Sequence, residues 1–172
     1  MIRRCQPGDL EAIHAVINDA AQAYRGVIAA DCYGEPYMPL EELRREIAAG
    51  VAFRGFEQDG ELASVMGLQE VAEVSLIRHA YTRTARRHGG CGTALLAHLQ
   101  GETHRPLLVG TWKAALWAVA FYERRGFRLV SEEDKRLLLH RYWTVPERQI
   151  EESVVLAERN WFVSRQEIAS AV

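Results

Sequence analysis

The sequence predicts one α/β domain built on a mixed β-sheet flanked by helices. The chain has 172 residues, of which 48% are apolar, and this is enough for a single sizeable core. Its first half orders one strand, two helices and then three consecutive strands, which is typical of an antiparallel sheet. Its second half alternates strand and helix, which favours parallel strands joined by crossover helices.

The N-terminal elements follow from capping residues and from apolar side chains at helical spacing. Residues 2–5 predict a short strand, and Asp9 is the expected N-cap of the first helix. An irregular segment, residues 25–38, is rich in Tyr, Gly and Pro. A second helix is predicted to begin at Pro39 and to end at Gly50.

The remaining elements are predicted from turn residues and changes of apolar period. Two β-prone runs within residues 51–71 are joined by Asp59-Gly60, which suits a tight hairpin turn, and a third run covers residues 74–82. After these we expect a helix at 92–104, a strand at 107–112, a helix at 114–125, a strand from Phe127, a helix capped by Ser131, a strand at 152–157 and a small helix after Ser164.

Charge and cysteine usage exclude several classes of protein. The formal net charge is −2 and the arginine pairs are scattered, so no nucleic-acid partner is expected. The three cysteines are far apart with no C-x-x-C pair, and no two histidines have ligand spacing, so neither a disulfide framework nor a metal site is expected. No apolar run is long enough for a bilayer, so we expect no membrane partner and a cytoplasmic location.

The stretch RRHGGCGTALL, residues 86–96, indicates an anion site. Successive backbone N–H groups at the start of a helix form a nest for an anion, and glycines let the backbone approach it. A nucleotide-hydrolase loop requires a lysine after its last glycine, but Thr93 follows Gly92 here. A dinucleotide loop requires a third glycine, and that position is Leu95.

What remains is the pattern R-x-x-G-x-G, formed by Arg87, Gly90 and Gly92 between a strand and a helix. A second motif, AVAFYERRGF, occupies residues 118–127. The two motifs together resemble those of the GNAT-type N-acetyltransferase superfamily. The resemblance implies one domain over residues 1–157, with a mostly antiparallel N-terminal sheet and parallel strands 4 and 5 splayed at the cofactor site. Residues 158–172 would form a C-terminal tail, and a homodimer is possible.

The resemblance also implies acetyl-CoA as the co-substrate. Its pyrophosphate would be held by the backbone N–H groups of Arg87, His88, Gly89, Gly90, Cys91, Gly92 and Thr93. The pantetheine arm would pair with the preceding strand at Ala80, Tyr81 and Thr82. We expect the loop to bind through its backbone, with the Cys91 thiol buried and inert.

For catalysis the resemblance implies direct attack of a primary amine on the thioester. Tyr122 would then be the general acid that protonates the departing thiolate, although it could instead be an aromatic packing residue. Its ordinary pKa near 10 keeps its proton available at neutral pH. Many relatives have an asparagine seven residues before this tyrosine, where this chain has Ala115.

The general base is less clear from the sequence. Some relatives place a glutamate early in the strand before the glycine loop, and that position is Leu76 here. Glu70, Glu73 and His79 are the alternatives, each of which could also be a solvated charge or a core-edge histidine. Proton loss could also run through water.

The resemblance also implies that specificity comes from the irregular segment and from the sheet hairpins, since these elements flank the acetyl end of the cofactor in the superfamily fold. Tyr24, Tyr33, Glu35 and Tyr37, together with Asp31, would suit a cationic amine through charge pairing and cation–π contact. The segment could equally be a polar connector. Two other functions remain open from the sequence: a non-catalytic acyl-CoA-binding module, and an acyltransferase that uses another acyl-CoA.

Overall fold

One seven-stranded sheet runs through the protein. The computed structural model describes the backbone of residues 1–170 and the side chains of residues 1–165. The strands are β1 (Ile2–Arg4), β2 (Ala52–Gln58), β3 (Glu61–Val71), β4 (Val74–Thr82), β5 (Leu107–Trp112), β6 (Phe127–Leu129) and β7 (Ser153–Glu158). Their order in the sheet is β1-β2-β3-β4-β5-β7-β6.

In the part of the chain that the structure describes, seven α-helices cover the two faces of the sheet. They are α1 (Leu10–Ala21), α2 (Leu40–Ala48), α3 (Cys91–Glu102), α4 (Leu116–Glu123), α5 (Glu132–Tyr142), α6 (Glu147–Glu151) and α7 (Arg159–Ser170). Leucines of α3 pack on one face of the sheet against β4 and β5. On the other face, α1 and α2 cover β2 and β3, and α5 covers β4, β5 and β7. Within residues 1–170, no helix has the length and apolar character needed to cross a membrane.

The mixed sheet is confirmed, and the parallel pairing is confined to β4 and β5. β1 to β4 pair antiparallel in sequence order. β5 and β6 run in the same direction, as the alternation of strand and helix predicts, but β7 inserts between them and pairs antiparallel with both. The alternation of strand and helix predicts the direction of the strands. It does not predict which strand pairs with the second edge of β5.

Helix boundaries were predicted well where a cap or a long apolar period marks them. Ser131 caps α5 by accepting a hydrogen bond from the Asp134 amide at 3.1 Å. Asp9 precedes α1 as expected, but its carboxylate accepts from the Gln6 amide at 2.7 Å and so closes the turn before the helix. The short α6 was missed because five residues carry no helical period, and the last helix begins at Arg159, earlier than predicted.

A bulge in β4 opens the centre of the sheet. β4 pairs with β5 only over residues 75–77. The register with β3 shifts between Val65 and Gly67, opposite Tyr81 and Arg78. Inside this shift His79 has a φ of 49°, a left-handed conformation that is uncommon for a residue other than glycine. The C-terminal half of β4 therefore leaves β5, and a cleft opens between the two strands.

Candidate functional site

Two cavities lie at the cleft where β4 leaves β5. The first, here called the glycine-loop cavity, has a volume of about 670 Å³ and lies between the end of β4, the loop before α3, and α4. The second, here called the α2 cavity, has a volume of about 440 Å³ and lies between α2, β4, β5 and the segment after α5. Tyr24 and Tyr81 line both cavities, so these two side chains form the wall where the cavities meet.

The glycine loop presents the start of α3 to the first cavity. Gly90 is the N-cap residue, with a φ of 79° that an L-side chain rarely adopts. A Cβ added at Gly92 would lie 3.6 Å from the Phe121 ring and 3.6 Å from the Thr82 hydroxyl, and both residues line the cavity. The start of α3, from Gly90 to Thr93, lines the cavity at the positive end of the helix dipole, which suits a phosphate.

Two hydrogen bonds attach the segment from Thr84 to Arg87, just before the glycines, to the first helix. Arg87 donates to the carbonyl oxygen of Ala20 at 2.9 Å, and the Thr84 amide donates to the Asp19 carboxylate at 2.6 Å. These two contacts anchor the loop to the C-terminal end of α1. The arginine of the motif thus fixes the position of the loop and leaves the backbone to face the cavity.

A second arginine brings positive charge to the glycine-loop cavity. Arg125 lies over the Phe121 ring at 3.8 Å from its centroid, donates to the Phe121 carbonyl oxygen at 2.7 Å and contacts the Thr93 hydroxyl. Its buried Nε has no hydrogen-bond partner among residues 1–165. Sequence reasoning missed this residue, although it lies inside the second motif.

Tyr122 is buried at the inner end of the same cavity. Its ring packs edge-on against Phe121 and Phe127, with centroid distances of 5.0 and 5.5 Å. Burial raises the pKa of Tyr122 above its ordinary value, so the hydroxyl keeps its proton at neutral pH. This arrangement is compatible with both a packing side chain and a proton donor.

A cluster of tyrosines separates the two cavities. The ring of Tyr24 lies 5.4 Å from that of Tyr37 and 6.2 Å from that of Tyr81. Trp112 fixes the Tyr37 hydroxyl through a 2.7 Å hydrogen bond from its indole N–H. Burial raises the pKa of all three tyrosines, so the junction is lined by neutral hydroxyl groups.

The α2 cavity is rich in charged groups. On one side Glu46 of α2 contacts both His79 and Arg78 of β4. Burial alone would raise the pKa of Glu46, but the hydrogen bond from His79 and the Arg78 charge outweigh it, and the pKa is lowered. Across the cavity Arg148 pairs with Asp31 at 2.7 Å. Glu42, Tyr37 and Trp143 complete this part of the wall.

The structure brings together only part of the predicted set. His79 lines the α2 cavity, whereas Ala80 and Thr82 line the glycine-loop cavity with the loop itself. Glu73 lies at the exposed turn before β4, where it contacts Tyr142 and pairs with Arg141 at 3.0 Å. Because this turn is at the opposite end of β4, Glu73 lines neither cavity.

Other predicted residues also lie away from the cavities. Glu70 pairs with Arg105 at 3.6 Å on the surface. Glu35 pairs with Arg25, and Tyr33 packs against Tyr37 with a centroid distance of 5.8 Å without lining either cavity.

The positions that differ from the superfamily pattern are closed to solvent. Leu76 and Ala115 are 0% exposed in two core clusters. The Cys91 side chain is buried as well. Among the residues that the structure describes, no three His, Cys, Asp or Glu side chains are grouped so that they could hold a metal ion.

Comparison with known proteins places this geometry in context. The family model described as "Acetyltransferase (GNAT) domain" matches residues 17–137. No curated protein matches the chain in sequence.

Solved structures share the fold at low sequence identity. A GNAT-family acetyltransferase from Staphylococcus aureus Mu50 has a TM-score of 0.68 at 14% identity, covering 92% of this chain and 97% of the other. The PaiA N-acetyltransferase from Thermoplasma acidophilum, in complex with coenzyme A, has a TM-score of 0.65 at 16% identity, with 92% and 97% covered. The ribosomal-protein-S18-alanine N-acetyltransferase from Escherichia coli has a TM-score of 0.64 at 15% identity, with 92% of each chain covered.

Proposed function

The chain belongs to the GNAT acetyltransferase family, and from that premise we propose that it transfers an acetyl group from acetyl-CoA to a primary amine by direct attack. One observation carries the proposal above all. Two cavities of different character meet at the β4–β5 cleft, and only Tyr24 and Tyr81 are common to their walls. A donor and an acceptor bound in these cavities would face each other at the tyrosines, which is the arrangement that direct transfer requires.

The glycine-loop cavity fits coenzyme A. The open start of α3 would hold the pyrophosphate through backbone N–H groups from Arg87 to Thr93. The free edge of β4 at Ala80, Tyr81 and Thr82 would pair with the pantetheine arm, and Arg125 adds positive charge beside the loop. When bound, acetyl-CoA supplies the reactive thioester, and a structural neighbour was solved with coenzyme A.

The proton transfers are assigned to residues at the two sides of the junction. Tyr122 would give its proton to the departing thiolate sulfur, since burial keeps the hydroxyl protonated. His79 would take a proton from the amine nitrogen, because it lines the α2 cavity and imidazole accepts protons near neutral pH. Glu73 lies too far from either cavity for this role.

The α2 cavity favours a cationic acceptor. Its wall includes the carboxylates of Asp31, Glu42 and Glu46 and the rings of Tyr24 and Tyr37. Asp31 is paired with Arg148 and Glu46 with Arg78, so Glu42, which has no ion-pair partner among residues 1–165, is the carboxylate left for a ligand. Carboxylates pair with an ammonium group, and aromatic faces add cation–π attraction. A primary amine that is protonated in solution would therefore be concentrated here before it loses its proton.

Two successive measurements test the proposed function. Calorimetry with acetyl-CoA, and with longer acyl-CoA donors, establishes whether the glycine-loop cavity binds the donor and which acyl group it prefers. A panel of amines is then assayed by the release of free thiol. No binding at micromolar acetyl-CoA would reject the proposal, and binding with only background hydrolysis across the panel would leave a non-catalytic acyl-CoA-binding module.

The variant Tyr122→Phe tests the general acid. We expect kcat to fall by about 100-fold or more, with the acetyl-CoA Kd unchanged, because the ring packing remains and only the proton donor is lost. Tyr142→Phe is the matched control, since it removes a surface tyrosine hydroxyl that contacts Glu73. Wild-type turnover in Tyr122→Phe would make Tyr122 a packing residue.

A further inference from the structure

The α2 cavity holds a histidine whose ring is fixed by a carboxylate. His79 Nε2 contacts Glu46 Oε2, and Arg78 Nη2 donates to the same oxygen at 2.9 Å. The three side chains are 14%, 20% and 16% exposed for His79, Glu46 and Arg78. Glu46 was not singled out in the sequence, because it looks like one more solvated charge on an amphipathic helix.

The contact with Glu46 determines the tautomer of His79. An ionised carboxylate only accepts hydrogen bonds, and the lowered pKa keeps Glu46 ionised at neutral pH. Nε2 must therefore carry the proton of the neutral imidazole. The lone pair that can accept a proton is then on Nδ1, at the other side of the ring.

Nδ1 is free to act on a ligand. It has no hydrogen-bond partner among residues 1–165, and it is not among the polar atoms sealed from solvent without a partner. Phe53 stacks on the ring, with centroids 6.1 Å apart and planes 24° apart. At the β4 bulge His79 has a left-handed conformation that is uncommon for a residue other than glycine, and the contacts with Glu46 and Phe53 hold its ring in place.

We propose that Glu46 is a positioning residue that fixes His79 in the Nε2–H tautomer and directs Nδ1 to the acceptor amine. This inference rests on the proposed function, since it requires that an amine be acetylated in the α2 cavity. Arg78 has a supporting part: it donates to Gln69 at 2.8 Å as well as to Glu46, so it holds the carboxylate in place.

The proton count closes without another reactant. An ammonium acceptor first gives one proton to Nδ1, which passes it to solvent and becomes free again. The amine nitrogen then forms its bond to the thioester carbon, the carbon–sulfur bond breaks, and sulfur takes the Tyr122 proton. The attacking nitrogen then loses its extra proton to solvent, and Tyr122 takes one proton back from solvent, so the two transfers cancel.

The decisive variant is Glu46→Gln, which keeps the size of the side chain but replaces a group that only accepts hydrogen bonds by an amide that can also donate to Nε2, so the tautomer is no longer fixed. We expect kcat to fall by about 10-fold or more, with an unchanged acetyl-CoA Kd.

Glu42→Gln is the matched control. Glu42 lies one turn earlier on α2 and lines the same cavity without contacting His79. If the carboxylates act only by attracting a cationic acceptor, both variants raise the KM of the amine alike and leave kcat unchanged. A kcat effect confined to Glu46→Gln supports the positioning role.

Nitrogen-15 NMR of the imidazole gives a readout that does not depend on turnover. The neutral His79 ring is expected as the Nε2–H tautomer in the wild type and as a mixture in Glu46→Ala. A wild-type ring in the Nδ1–H tautomer, or equal kcat values in wild type and Glu46→Gln, would overturn the inference. If the wild type acetylates no amine, it is the proposed function that fails, and the tautomer measurement still decides whether Glu46 fixes the ring.

Discussion

The substitution Gly92→Ala separates the role of the glycine loop in binding from its role in folding. The added Cβ would meet Phe121 and Thr82 at 3.6 Å, which is ordinary van der Waals contact, so the fold has room for it. Gly92 is the second residue of α3, and alanine is the better helix former by up to about 1 kcal/mol. The free energy of unfolding should therefore be unchanged or raised, by about 0.5 kcal/mol.

The effect on acetyl-CoA binding should have the opposite sign. A phosphate oxygen held by the first N–H groups of α3 must come within about 2.9 Å of a backbone nitrogen, and a methyl group on the cavity side blocks that approach. Loss of one charge-assisted hydrogen bond costs about 1.5–3 kcal/mol. We therefore expect the Kd to rise by roughly 10- to 150-fold.

Calorimetry with acetyl-CoA and urea unfolding measure the two effects on the same protein. The matched control is Gly101→Ala, on the exposed face near the end of the same helix, where a Cβ would meet no atom within 4 Å. The control should gain stability and bind normally. If Gly92→Ala bound acetyl-CoA with wild-type affinity, the premise that the loop works through close backbone approach would be wrong.

Two further predictions concern the anchors of the fold. Asp19→Ala removes the acceptor of the 2.6 Å hydrogen bond from the Thr84 amide. We expect the free energy of unfolding in urea to fall by about 1 kcal/mol and hydrogen exchange at that amide to become faster. Asp19→Asn, which keeps an acceptor oxygen, is the milder control. The pKa of Asp9 is lowered from 3.8 to about 2 by hydrogen bonds from Arg3 and the Gln6 amide. A carboxylate whose pKa is lowered in the folded state stabilises the fold in full only when the pH is above its pKa in the unfolded chain. Asp9→Asn should therefore lower the free energy of unfolding by about 2 kcal/mol at pH 7. That difference should vanish as the pH falls from 4 towards 2, and an equal cost at pH 2 and pH 7 would contradict the assignment.

The sequence was sufficient for those features that depend on local pattern. Caps, turns and apolar periods gave the helices α1 to α5 and all seven strands, and the two motifs gave the family. The α6 helix and the early start of α7 were not predicted, because a five-residue helix has too little period to detect. The place of β7 in the sheet depends on tertiary pairing, which no local pattern records.

The candidate site was predicted only where it lies on the backbone of the motifs. Glu73 was a reasonable candidate for the general base because it is close to β4 in sequence. However, it lies in the turn before β4, at the end of the strand that is remote from both cavities. Glu46 was invisible because its partner, His79, lies 33 residues away. The contact forms at the β4 bulge, where the register with β3 shifts, and a bulge of this kind has no marker in the sequence when the residue is not glycine.

The insertion of β7 between β5 and β6 has a consequence for the order in which the protein folds. The last strand of the chain is an interior strand, and until residues 153–158 arrive, β6 lacks the partner it has in the sheet and β5 keeps an unpaired edge. Pairings between distant segments form slowly, because closing a long loop costs entropy before the strand contacts can offset it. Any step that delays the C-terminal segment therefore leaves the edges of β5 and β6 unpaired, and such edges can pair with other chains.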